Sequence, residues 1–179
     1  MRPSITLIEL LIVIFLVGII AGTGWPTLTG WNCKQELRNE FESLNNFFEK
    51  ARVEAINQNK SVIVSVAKGM SPWNGARISA MIGQPNKLRC ARSSASSSLR
   101  NIIPDLTIST KYKLLGAPGS SQQCFHADGS ATASQAIQVY QIQRTCSGQT
   151  HTYQTLIFGA TGLFEKKVFF AGTAGFLDL

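Results

Sequence analysis

Carboxylates are scarce over most of this chain. Residues 61–179 carry only Asp105, Asp128, Glu165 and Asp178 against eleven lysines and arginines, so the net charge of +7 lies entirely there. With Asp128 read as the turn residue before Gly129, a paired-carboxylate site for glycosidase-type hydrolysis is not expected. Histidine is scarcer still, with only His126 and His151. The four cysteines, at 33, 90, 124 and 146, make no Cys-x-x-Cys and have no adjacent histidine, which excludes the usual zinc patterns. There is no Gly-x-Ser-x-Gly elbow and no Walker or dinucleotide loop. These absences argue against an enzyme, and no residue pattern calls for a metal or cofactor.

What the chain does have is a concentrated apolar stretch. From Leu7 to Ala21 the residues are apolar with a single charge, Glu9. A carboxylate in a hydrocarbon layer costs about 2.5–3.5 kcal/mol, so one kept there has a purpose. Arg2 precedes the run and no acid does, which favours a cytoplasmic N-terminus. A secretory signal peptide is a poor alternative, because its core rarely holds an acid and Ala21-Gly22-Thr23-Gly24 is a weak cleavage site. A plain membrane anchor would keep the helix but give Glu9 no role. Gly22, Gly24 and Pro26 should weaken or kink a helix at the end of the run.

Ile5-Thr6-Leu7-Ile8-Glu9-Leu10 resembles the start of mature type IV pilins and pseudopilins, usually Phe-Thr-Leu-Ile-Glu-Leu. Gly18 and Pro26 also stand where pilins commonly carry glycine and proline. The resemblance implies that a prepilin peptidase cuts between Ser4 and Ile5 and methylates the new amine on Ile5. Ser4 replaces the glycine usual before the cut. It further implies that Glu9 neutralises the terminal amine of a neighbouring subunit in a filament. Partners implied are other pilins or pseudopilins, the peptidase, an inner-membrane assembly platform, and the membrane itself before assembly.

Beyond the apolar run the pattern becomes amphipathic. Leu37, Phe41, Leu44, Phe48, Ala51 and Ala55 recur at spacings of four and three, the signature of a helix with one buried stripe. The other face carries Lys34, Glu36, Arg38, Glu40, Glu42, Glu49, Lys50, Arg52 and Glu54. Strands follow at Ser61–Val66, Ala76–Ile82, Leu106–Leu115, around Cys124–His126, at Ile137–Ile142, Thr152–Phe158 and Leu163–Phe170, with a hairpin about Ser147-Gly148. Residues 91–98 form a serine-rich loop. The expected organisation is a leader at 1–4, a transmembrane or filament-core helix at 5–31, its amphipathic half at 32–58, and a β-rich head at 59–179. The fold class is α+β, a long N-terminal pilin helix packed on an antiparallel head. The expected place is the inner membrane, single pass, with the head periplasmic, and then the pilus or pseudopilus at the cell surface. An oxidising periplasm would favour disulfides. Four cysteines allow three pairings; bridges among Cys90, Cys124 and Cys146 are expected, since Cys33 lies on the helix near the membrane exit, and buried free thiols are the alternative.

Three further landmarks resemble the subfamily of the H pseudopilin of type II secretion and the FimT and FimU minor pilins. They are Ala51-Arg52-Val53-Glu54-Ala55-Ile56, Trp73-Asn74-Gly75, and Phe125-His126-Ala127-Asp128-Gly129 followed by Thr161-Gly162. The implied function is a minor pilin that initiates or tips a type IV pilus. Alternatives are a minor pseudopilin of type II secretion and a DNA-binding pilin of natural transformation. Lys87, Arg89, Arg92, Arg100, Lys111, Lys113, Lys166 and Lys167 are the candidates for phosphate contact. DNA is not favoured, because the Gly-Arg-x-Arg motif of DNA-binding FimT proteins reads Gly162-Leu163-Phe164-Glu165 here.

Overall fold

The structure, a computed structural model, describes residues 6–69, 74–82, 101–116, 121–132, 137–169, 175 and 177–178. Helix α1 spans Leu7–Gln58. At its start the Thr6 carbonyl accepts the amides of Glu9 and Leu10, at 3.1 and 3.3 Å. It runs without interruption through Gly22, Gly24 and Pro26, so these residues do not end it. Asn59 closes it in the left-handed region (φ 50°), its amide reaching the Ala55 and Ile56 carbonyls. Asparagine is among the few residues that tolerate this conformation.

The predicted stripe is the core-facing one. Leu37, Phe41, Leu44, Phe48, Ala51 and Ala55 are all fully buried. Two aromatic pairs anchor them to the sheet, Phe41 on Tyr153 and Phe48 on Tyr140, with ring centroids 5.1 and 4.8 Å apart. Such contacts add to the burial of the rings themselves. Several helix acids on the flanks reach the sheet as well. Glu42 pairs with Lys166 at 2.9 Å, and the Ser109 amide donates to Glu40 at 3.3 Å.

Among the described residues nine strands follow: β1 (Val62–Lys68), β2 (Asn74–Ile82), β3 (Asn101–Gly116), β4 (Ser121–Phe125), β5 (Ala131–Thr132), β6 (Ile137–Cys146), β7 (Gln149–Phe158), β8 (Phe164–Phe169) and β9 (Leu177–Asp178). They form one antiparallel sheet in the order β5-β4-β1-β2-β3-β6-β7-β8-β9. Alternation sets which face meets the helix: Val62, Val64 and Val66 of β1 are buried, as are Tyr112 and Leu114 of β3. The long strand β3 joins the two parts of the sheet. Its first part pairs with β2 through register shifts, and Lys113–Gly116 pair with β6. Bulges of this kind increase local twist, which lets one sheet curl around one helix. The two-residue strands β5 and β9 stand at the sheet edges, where they pair with Cys124–Phe125 of β4 and Lys167–Val168 of β8.

Two expectations are corrected. The α+β balance is one: the head is mainly β, a single nine-stranded sheet, and the helix contributes a layer only through its second half. The membrane-spanning half is the other: among the described residues no helix is long and apolar enough to cross a membrane. Among the described side chains the exposed apolar run is Leu7 to Ile19, which rises about 20 Å at 1.5 Å per residue against a hydrocarbon core of about 30 Å. The placement as a single-pass inner-membrane protein falls with it.

Candidate functional site

The apolar segment 7–19 is the feature the rest of the fold leaves unexplained. Its large side chains are exposed throughout, from Leu7 at 78% and Phe15 at 69% to Ile19 at 50%, whereas the stripe further along the same helix is wholly covered. Apolar residues cover every side of this segment, and a helix hydrophobic all round is normally buried. So large a contiguous apolar surface marks an interaction site. Glu9 stands in the first turn, where free amides favour a carboxylate. Ser4 and Ile5, the expected processing residues, lie outside the described residues.

Further along the same helix, at Gly30 and Cys33, the turn between β6 and β7 holds it. Cys33 is disulfide-bonded to Cys146 across 113 positions of sequence. Three residues earlier, a Cβ on Gly30 would lie 2.9 Å from the Ser147 hydroxyl, so a side chain there would oblige that hydroxyl to turn aside. The turn itself has positive φ at Ser147 and Gly148, the two-residue hairpin geometry that follows strand twist. This pairing corrects the expectation that Cys146 bonds with Cys90 or Cys124. Cys33 precedes Leu37 by four residues and so begins the buried stripe, a signal that the reading of Cys33 as a membrane-exit residue hid. Cys124 is also disulfide-bonded; Cys90 lies outside the described residues.

The sequence landmarks around Arg52, Gly129 and Gly162 prove to be one junction. The Arg52 guanidinium donates to the Gly129 carbonyl at 2.9 Å and to the Thr161 carbonyl at 3.1 Å. Gly129 and Gly162 both have positive φ, and a Cβ on Gly162 would run into the Gly129 carbonyl oxygen. Asp128 accepts from the Ser130 amide and hydroxyl at 2.9 and 2.6 Å, which holds its carboxyl below the usual range. His126 hydrogen-bonds Thr132. These residues tie the end of the helix to two loops, as structure rather than chemistry. Trp73 lies outside the described residues.

The basic residues divide. Lys166 is paired with Glu42, and Lys167 with Glu165 at 3.0 Å and Asp178 at 3.5 Å. Lys87, Arg89, Arg92 and Arg100 lie outside the described residues. Lys111 and Lys113 instead line a groove of about 600 Å³ with Gln143, Arg144, Thr145 and Thr150. Arg144, which sequence reading did not single out, bonds Glu36 at 2.5 Å and sits 5.3 Å over the Tyr112 ring. The pair raises the guanidinium and, mainly through the same hydrogen bond, lowers the carboxyl. Among the described residues no group of His, Cys, Asp and Glu could hold a metal ion.

No protein-family model, curated protein or solved structure matches this chain.

His151 lies opposite Arg144 in the β6–β7 ladder and is nearly fully buried. Burial, with a smaller contribution from Lys34, pushes its pKa below the ordinary value. The unfolded chain therefore takes up this proton near pH 6.5 while the native chain does not. Stability is full above that pH and is lost as the pH falls towards the lower native pKa. The urea midpoint is expected to drop between pH 7.5 and 5.5, with a flatter profile in His151→Gln. Parallel profiles for the two proteins would contradict the assignment.

Proposed function

We propose that the chain is a pilin-like structural subunit, a minor pilin of a type IV pilus, assembled through its N-terminal helix and acting to initiate or tip the filament. The observation that carries this reading is the apolar segment 7–19, exposed on all sides and bearing one carboxylate. Covering it needs apolar helices of other subunits. In that setting Glu9 needs a cation, and the amine that cleavage before Ile5 would create on a neighbour supplies one. A buried charge left without its partner costs about 3–5 kcal/mol. A DNA-binding role draws less support, because Lys166 and Lys167 already serve carboxylates of the chain itself.

Glu9→Gln leaves the neighbour's amine unpaired and is expected to lower recovery of the subunit in sheared filaments roughly a hundredfold. Mass and N-terminal sequencing of the wild-type filament fraction should find a chain starting at methylated Ile5. Undiminished incorporation of the glutamine variant, or a chain absent from filaments, would sink the proposal.

A further inference from the structure

The groove between β3 and the β6–β7 hairpin is lined by no residue of the helix, and its chemistry is specific. Lys111 and Lys113 are two apart on β3, so both project from the same face, about 7 Å apart along the strand. Tyr112 between them and Leu114 beyond turn the other way into the core. Lys113 stands opposite Gln143 in the ladder, and Thr145 opposite Thr150, with their hydroxyls 3.0 Å apart. The surface thus sets two ammonium groups beside an amide and two hydroxyls.

Arg144 borders the groove too, but it stands next to Gln143 on β6, so its guanidinium turns to the opposite face, where Glu36 and the Tyr112 hydroxyl, 3.3 Å away, hold it. The cations of the groove are therefore Lys111 and Lys113. Glu36 is not among the groove's lining residues, which include no carboxylate. Among the described residues neither Lys111 nor Lys113 enters an ion pair, whereas Arg77, Lys166 and Lys167 all do. Cations gathered in a concave surface focus the field and concentrate anions.

We infer that this groove binds a linear acidic polysaccharide. Its volume, about 600 Å³, falls in the range that encloses small organic ligands. Hydroxyls and an amide between cations suit a polymer carrying anionic groups among sugar hydroxyls. Single-stranded nucleic acid is the poorer fit, since its sequence-tolerant binding uses aromatic stacking and no aromatic ring lines the groove.

The test is calorimetric titration of the full chain with two acidic hexamers. One is a polygalacturonate fragment, with carboxylates only; the other is a heparin-derived hexasaccharide, with sulfates as well. A neutral dextran fragment and a short DNA duplex serve as comparators. Saturable binding of either acidic hexamer is expected, roughly tenfold weaker in Lys111→Gln/Lys113→Gln. Lys111→Arg/Lys113→Arg should restore it, and the equally exposed Lys50→Gln/Lys60→Gln should leave it unchanged. Binding of the uronate hexamer identifies carboxylated glycans as the source of the anion; binding of the heparin fragment alone identifies sulfated ones. The inference is overturned if neither acidic hexamer binds. It is equally overturned if the double glutamine variant binds as wild type, if dextran binds as well, or if the DNA duplex binds more tightly.

Discussion

Cys146→Ser is expected to destabilise the full chain by about 4 kcal/mol, lowering its melting temperature by about 10 °C. The bridge from Cys33 joins residues 113 apart, so without it the unfolded chain regains the freedom of a very long loop. A second loss adds to this: the thiol left on Cys33 no longer holds the β6–β7 turn against Gly30. Urea unfolding of Cys146→Ser and of the Cys33→Ser/Cys146→Ser double variant measures the effect. Both should lose similar amounts, because either change removes the same covalent bond. A loss below about 1 kcal/mol in both would show that the bridge contributes little beyond the packing around it.

Gly162→Ala should cost about 2–5 kcal/mol, from two sources. The left-handed backbone at Gly162, with φ 63°, penalises any side chain by about 1–2 kcal/mol. The new methyl also meets the Gly129 carbonyl oxygen and lies 3.0 Å from Arg52 Nε. Relief means moving backbone or giving up the Arg52 bonds, and overpacking of this kind typically costs about 1–3 kcal/mol. Gly148→Ala is the control. It has φ 79° but open space around the added atom, so it should lose only about 1–2 kcal/mol. Equal losses at the two sites would mean that the Arg52 junction yields without strain.

The parts of the fold written in local periodicity were legible. The stripe from Leu37 to Ala55 and the strands around it follow from spacings of three, four and two, and the Ser147-Gly148 turn from its residue types. What stayed hidden depends on partners far along the chain. Arg52 finds its carbonyls 77 and 109 residues away, and Lys166 finds Glu42 at a separation of 124. In the sequence Lys166-Lys167 reads as a cationic patch, whereas folding places carboxylates against both. Cys33 was misjudged for a related reason. Once the stretch before it was taken as a membrane segment, its place at the head of the stripe went unread. The balance of the fold was misjudged because a long helix dominates a sequence visually, while the sheet that covers it is assembled from short, separate pieces. At the candidate site, Glu9 and the apolar run could be seen directly; Arg144, which walls the basic groove, could not.

The clamp at Gly30 and Cys33 also decides how the molecule answers to pulling. Tension along the segment 7–30 meets the covalent bridge one helical turn before it meets Leu37. Force therefore enters the sheet at the β6–β7 turn, at one end of a ten-residue ladder, and is shared among its hydrogen bonds before the aromatic contacts of Phe41 and Phe48 are strained. The helix acts as a tether anchored by a bond, with its packing held in reserve.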